Sequence, residues 1–388
     1  FVLLGGDGKI LGDSVAYRDQ RTEGMDREVS RVISPRELYS RTGIQKQIFN
    51  TIYQLEAVKK ENPEQLSRAR RFLMIPDYLN FLLTGVMQNE YTVATSTGLV
   101  NARTKTWDGE ILRRLGFPKS IFGPLAVPGT RLGGLREKVR KEAGFDCEVL
   151  LPATHDTASA FLSVPARDDR SVYISSGTWS LLGVENREPI TTEESRLLNF
   201  TNEGGYRYRF RYLKNIMGLW MIQSIRRELN AEGKKVSFDE LENAARSSGG
   251  GKGLIDVNDA SFLSPASMIQ AVNEFLRKAG QPVPASVGEL VQCVYKSLAD
   301  SYRKSIRELS RMTGKKYTSV NIVGGGAKDR YLNELTAQAT GLPVFSGPVE
   351  GTALGNLIVQ MIAAGEFPDL SAARAAVRNS FPGKEYVV

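Results

Sequence analysis

The chain has 388 residues, 41% hydrophobic and 24% charged, which fits an ordinary globular protein of two or three domains and excludes disordered and fibrous classes. Its formal net charge is +8, but Lys and Arg are scattered rather than gathered, so the bias suits a small anionic partner and nucleic acid is not expected. Two cysteines, Cys147 and Cys293, and a single histidine leave no zinc cluster and suit a reducing cytoplasm, and no apolar run reaches the roughly 18 residues of a membrane span.

In chain order, residues 1–4 and 9–17 flank Gly5-Gly6-Asp7-Gly8 and read as a hairpin, because glycine and Asp accept positive φ. Ser34-Pro35-Arg36-Glu37 supplies a helix cap with proline in the first turn. Residues 65–73 and 76–83 read as helices, the second stopped by Gly85, and 108–115 and 135–143 as short amphipathic ones. Residues 118–134, rich in Pro and Gly, read as surface connection. Near residue 150 the texture changes, which predicts one domain over 1–150 and a second over 151–388. Strand-like runs follow at 149–151, 172–175, 179–184 and 205–213, then helical patterns at 217–229, 238–246, 264–278 and 287–312. The last third alternates strand 319–323, helix 329–340, strand 344–345 and helix 351–365, an α/β pattern.

Two segments carry chemistry. Ala153-Thr154-His155-Asp156 and Ser175-Ser176-Gly177-Thr178-Trp179-Ser180 put an acid, the lone histidine and a hydroxyl/glycine turn at the ends of neighbouring strand-like runs. Phosphoryl transfer asks for such parts: Asp156 to take the proton of an acceptor hydroxyl, His155 to hold a neighbouring hydroxyl, and Ser176-Gly177-Thr178 to offer N–H and O–H groups to phosphate oxygens. The competing reading makes Asp156 a helix N-cap and His155–Asp156 a structural pair. Val323-Gly324-Gly325-Gly326-Ala327 is a strand ending in glycines before a helix, an anion platform or a plain tight turn. Its spacing is neither the Rossmann nor the Walker pattern. The small residues of Glu350-Gly351-Thr352-Ala353-Leu354-Gly355-Asn356 suit close helix packing.

These motifs, with Gly43-Ile44-Gln45, Phe49-Asn50-Thr51, Met74-Ile75-Pro76-Asp77-Tyr78, Asn202-Glu203-Gly204-Gly205 and Leu213-Lys214-Asn215-Ile216-Met217-Gly218, resemble the FGGY carbohydrate kinases. The resemblance implies an α/β, actin/hexokinase-like (ribonuclease H-like) two-lobed kinase fold, with residues 1–150 the remainder of the N-terminal sugar-binding lobe and 151–388 the C-terminal nucleotide-binding lobe. Within the family the blocks are most similar to members that phosphorylate the 1-hydroxyl of L-rhamnulose with ATP and Mg2+. It implies Asp156 as catalytic base, His155 and Phe49 as substrate contacts, Thr178, Asn215, Gln223 and Gly326 as nucleotide contacts, and no metal ligand. The expected partners are L-rhamnulose and ATP, with no nucleic acid or membrane, for a cytoplasmic monomer or weak homodimer. The family's opening strands and Asp-x-Gly phosphate loop are not found in this sequence, so the first lobe is expected to be incomplete and the chain alone to have little activity. The alternative is an inactive sugar- or nucleotide-binding regulator on the same fold, which has no need of Asp156.

Overall fold

In the computed structural model, which describes residues 1–17, 19–249 and 253–387, the chain crosses repeatedly between two contact units. The first comprises Phe1–Leu162, Glu185–Leu213 and Thr352–Ala373, and the second Ser163–Val184, Lys214–Gly351 and Arg374–Val388. Because the units are interleaved, no single cut, at residue 150 or elsewhere, separates them.

The first unit is mostly helical. The helix Pro35–Thr42 starts as its sequence suggests, with Ser34 Oγ accepting from Glu37 N and Pro35 in the first turn. The helix Ile75–Thr84 stops at Gly85, which takes the left-handed conformation at φ 84°. Two expectations fail here. The glycine turn at 5–8 forms, with Gly5 N donating to Lys9 O at 2.9 Å, but the expected hairpin shrinks to the single bridge Leu4↔Ile10. The strand Val2–Leu4 instead pairs antiparallel with Arg71–Leu73, so the helix read over 65–73 ends at Arg68. The reason is burial. Leu3 and Phe72 join Val29, Ile52, Leu55, Ile111 and Leu112 in one core, and Phe72 packs on Phe1, Trp107 and Phe122 at centroid distances of 5.2, 5.9 and 5.1 Å. A further strand pair sets Thr201–Gly204 against Phe210–Leu213, with Arg211 opposite Glu203. The strand read over 205–213 therefore begins only at Phe210, because Arg207 and Tyr208, at φ 51° and 60°, turn the chain back sharply.

The second unit is built on a sheet. The strand Ser319–Val323 lies parallel to both Ser171–Ser176 and Val344–Ser346, and Lys384–Tyr386 adds an antiparallel edge. The strand Trp179–Asn186 folds back on Ser171–Ser176 through Gly177-Thr178, with Ser176 opposite Ser180. The 27-residue helix Val287–Thr313, capped by Ser286, buries Leu290, Val294, Leu298 and Tyr302. Its Tyr302 hydroxyl bonds Ser180 Oγ at 2.6 Å. Among the described residues no helix is long and apolar enough to cross a membrane.

In the first unit, the helix Gly351–Ala364 meets the helix Asp156–Ser163 so closely that a Cβ on Gly355 would fall within the Ser159 carbonyl. Gly355→Ala should cost ~1–3 kcal/mol as overpacking, despite alanine's better helix propensity. Urea denaturation checks this, and an unchanged or higher midpoint would mean that the helices are not in such contact.

Candidate active site

On the first unit, the helix Asp156–Ser163 begins at Asp156, with the His155 carbonyl accepting from Ala158 N at 2.9 Å and Ser159 N at 3.1 Å. Asp156 Oδ1 accepts from Thr157 N at 2.6 Å, a bond to the next residue only, and Asp156 is the first helical residue with His155 before it, so the N-cap reading weighed from the sequence is not what the structure shows. The Asp156 side chain is 81% exposed, whereas that of His155 is only 20% exposed and sets Nδ1 3.3 Å from Asp156 Oδ1. The His155 ring beside it, above all, holds the Asp156 carboxyl well below the usual carboxylate range, with the Thr157 bonds adding to it.

The loop bearing His155 is fastened by residues that the sequence did not single out. Glu90 is fully buried, and its carboxylate accepts from Thr92 N, Thr92 Oγ1 and Val93 N at 2.8, 2.5 and 3.1 Å. The same carboxylate accepts from Thr154 N and Thr154 Oγ1 at 3.2 and 2.7 Å. His155 N in turn faces Thr92 Oγ1 at 3.3 Å. Glu90 itself is set by Asp77, whose Oδ1 accepts Glu90 N at 3.0 Å and whose Oδ2 accepts Asn89 Nδ2 at 3.0 Å and Met74 N at 3.2 Å. On the other side of the ring, His155 Nε2 lies 3.5 Å from Glu203 Oε2, and Arg211 Nη1 lies 3.0 Å from the same oxygen. Glu203 stands in one of the resembling blocks without a role, and Arg211 falls in the strand-like run 205–213 with no role either. The available signal was their cross-strand spacing, which becomes visible only once the register is known. Phe49 is 37% exposed and packs edge-on against Tyr17 at 5.4 Å, with no described contact to His155 or Asp156.

On the second unit, the Gly177-Thr178 turn is clasped by the next expected segment. Gly218 N and Trp220 N donate to Thr178 O at 3.1 and 3.2 Å, and Leu219 N donates to Gly177 O at 3.0 Å. A side chain at Gly218 would collide with this turn, its Cβ 2.8 Å from both the Gly177 and Thr178 carbonyl oxygens. Asn215 lies on the strand entering this clasp and Gln223 on the helix Trp220–Ala231 leaving it; both are half-buried, while Thr178 is exposed. The glycine triplet comes to the same turn. Gly324 takes φ 88°, and a Cβ on Gly326 would overlap Ser176 Oγ. Gly326 thus meets the turn that carries Thr178, Asn215 and Gln223 lie on the strand and helix either side of the segment that clasps it, and His155 and Asp156 are side by side in the other unit.

Residues 172–364 match the FGGY family of carbohydrate kinases, C-terminal domain, and residues 1–163 match its N-terminal domain. The chain is 48% identical over 387 residues to a rhamnulokinase of Halalkalibacterium halodurans, an alignment covering 100% of this chain and 82% of that relative. It is 42% identical over 387 residues to a rhamnulokinase of Bacillus subtilis, covering 100% of this chain and 79% of the relative. Among solved structures, a ligand-bound xylulose kinase from Lactobacillus acidophilus aligns with a TM-score of 0.80 at 20% identity, over 100% of this chain and 77% of that one. Plasmodium falciparum glycerol kinase with ADP aligns at 0.78 and 15% identity, over 97% of this chain and 76% of that one. The fold is therefore the α/β two-domain kinase fold expected from the sequence.

The support beneath His155 has a pH signature. Burial raises the carboxyl of Glu90 and pushes that of Asp77 up to about 7. Both hold a proton more tightly folded than unfolded, so their stabilisation is complete below the ordinary carboxylate value and is lost as pH rises through the folded one. Asp77→Asn cannot ionise. The stability difference between wild type and this variant should therefore fall by up to ~1.4 kcal/mol per pH unit between about pH 5 and about 7 in urea unfolding, and parallel curves would refute the assignment.

Proposed function

The chain belongs to the FGGY family of carbohydrate kinases and is a sugar kinase, and from that premise we propose that it transfers the γ-phosphoryl group of ATP to the 1-hydroxyl of L-rhamnulose. The observation that carries this reading is the exposed Asp156 carboxylate beside His155, held in its ionised form. The choice of ketose follows the names of the relatives that are 40–48% identical over 98–100% of this chain.

The chemistry needs little covalent help. A loose transition state leaves the protein to align the acceptor, accept its proton and balance charge on the moving group. Asp156 accepts the proton of the attacking hydroxyl. Because its carboxyl sits below the usual range, it is available in the basic form throughout the neutral region. His155 hydrogen-bonds a neighbouring hydroxyl, and the Phe49 ring offers an apolar wall to the sugar's methyl end. For the nucleotide, the Ser176-Gly177-Thr178 turn meets phosphate oxygens, Asn215 and Gln223 supply side-chain amides, and Gly326 lets its backbone lie flat against the adenosine. We assign sugar binding to the family's N-terminal domain, matched over residues 1–163, and nucleotide binding to its C-terminal domain, matched over 172–364, rather than to a single cut at residue 150. Mg2+ bound with the nucleotide would supply charge balance on the transferring phosphoryl group; among the described residues no group of three His, Cys, Asp or Glu side chains is placed to hold a metal. A cytoplasmic enzyme, monomeric or weakly dimeric, completes the proposal.

Relative to whatever turnover the wild-type chain shows, Asp156→Asn should lower kcat for L-rhamnulose phosphorylation by ~10²–10⁴-fold in a coupled ADP-release assay. Calorimetric affinity for the ketose should stay within about threefold, which also separates catalysis from a binding-only regulator. A fully active variant would remove Asp156 from its role, and a wild type that phosphorylates other ketoses but not L-rhamnulose would overturn the substrate.

A further inference from the structure

His155 is touched at both ring nitrogens by carboxylates from different elements: Asp156 at the head of a helix on Nδ1, and Glu203 on the strand Thr201–Gly204 on Nε2. Glu203 is itself immobilised. It stands opposite Arg211 in the strand register, and the Arg211 guanidinium, 1% exposed, spends its Nε on the Gly204 carbonyl at 3.0 Å and brings Nη1 within 3.0 Å of Glu203 Oε2. A guanidinium so deeply buried needs a counter-charge, and Glu203 supplies it. The strand is pressed inward at its next residue, where a Cβ on Gly204 would come within 2.7 Å of Tyr91 Cε1 and 2.9 Å of Thr95 Cγ2. With its position settled by Arg211 and by this contact, the second face of the Glu203 carboxylate has one histidine edge to meet. Its 3.5 Å separation from Nε2 is long for a hydrogen bond, as such contacts often are before a substrate is bound.

We propose that Glu203, anchored by Arg211, is a positioning residue that accepts a long, shared hydrogen bond from the Nε2–H of His155 and so fixes the ring plane in which that same N–H also reaches the acceptor sugar. The proposal rests on the preceding reading that this site takes a ketose. Glu203 acts through His155. With Glu203 absent, the ring keeps only its Asp156 contact and turns about χ2, so binding of the sugar suffers more than the chemical step.

Because the chain has one histidine, nitrogen-15 labelling of that residue type gives a single assigned pair of ring signals. Long-range proton–nitrogen spectra of the whole chain should show Nε2 protonated in the wild type and its signal displaced in Glu203→Gln. An Nε2 without a proton, or a signal indifferent to the substitution, overturns the proposal, and the wild-type spectrum decides even where the variant folds poorly. Kinetically, Glu203→Gln should raise KM for L-rhamnulose by at least about tenfold, with kcat and the KM for ATP within about threefold. In a His155→Ala background the same substitution should add less than about twofold, whereas a merely structural role would cost as much in either background. A wild type that does not phosphorylate L-rhamnulose would fail the functional reading alone, since the spectra would still decide the role of Glu203.

Discussion

One buried carboxylate governs the placement of the loop that carries His155 and Asp156. Glu90 is out of solvent and accepts five hydrogen bonds, three from the start of the helix Tyr91–Thr95 and two from Thr154. A carboxylate is expensive to bury, and what offsets that cost is a full set of donors, since charge-assisted bonds contribute about 1.5–3 kcal/mol each where neutral ones give about 1. The bonds run to two segments 64 residues apart, so satisfying Glu90 obliges the 154–156 loop to sit against that helix. The helix in turn receives the strand at Gly204, whose N–H bonds Thr95 Oγ1 at 2.8 Å. His155 is thereby approached from three sides by parts that each depend on the same anion.

The 176–178 turn is organised by the opposite device, the removal of side chains. Gly218, Gly324 and Gly326 each bring backbone against the 176–178 turn where any Cβ would intrude, and Gly324 also adopts a positive φ. Backbone carbonyls of Gly177 and Thr178 are consumed by Gly218, Leu219 and Trp220, which leaves the Thr178 side chain outward. A turn held from behind by three N–H groups presents its front without relying on side-chain order, as suits a surface meeting a mobile polyanion.

Local signals were legible and distant ones were not. Ser34-Pro35, Gly85 and the strand Ser319–Val323 followed from caps, φ and apolar runs, which act within a few residues. The strand Arg71–Leu73 escaped notice because its partner lies some 70 residues upstream and only their shared burial selects it over helix. Glu90, Glu203 and Arg211 escaped for the same reason at the site itself. Each is an ordinary charged residue until the register and the loop packing place its partner. His155-Asp156 and the glycine triplet were visible because adjacency or spacing already carries their chemistry.

Asp156 shows how a helix start and the proposed catalytic role can share one carboxylate. A carboxylate at the first residue of a helix is stabilised by free N–H groups and by the helix dipole, and Oδ1 already accepts from Thr157 N at 2.6 Å. That same stabilisation keeps the group ionised and pins χ1. With Oδ1 engaged, Oδ2 is left toward solvent on a side chain that is 81% exposed. Helix stabilisation alone would not call for a histidine at 3.3 Å whose backbone is tied to Thr92 and whose far edge faces a second carboxylate. The helix start fixes where the anion stands, and the histidine and its supports account for why it stands there.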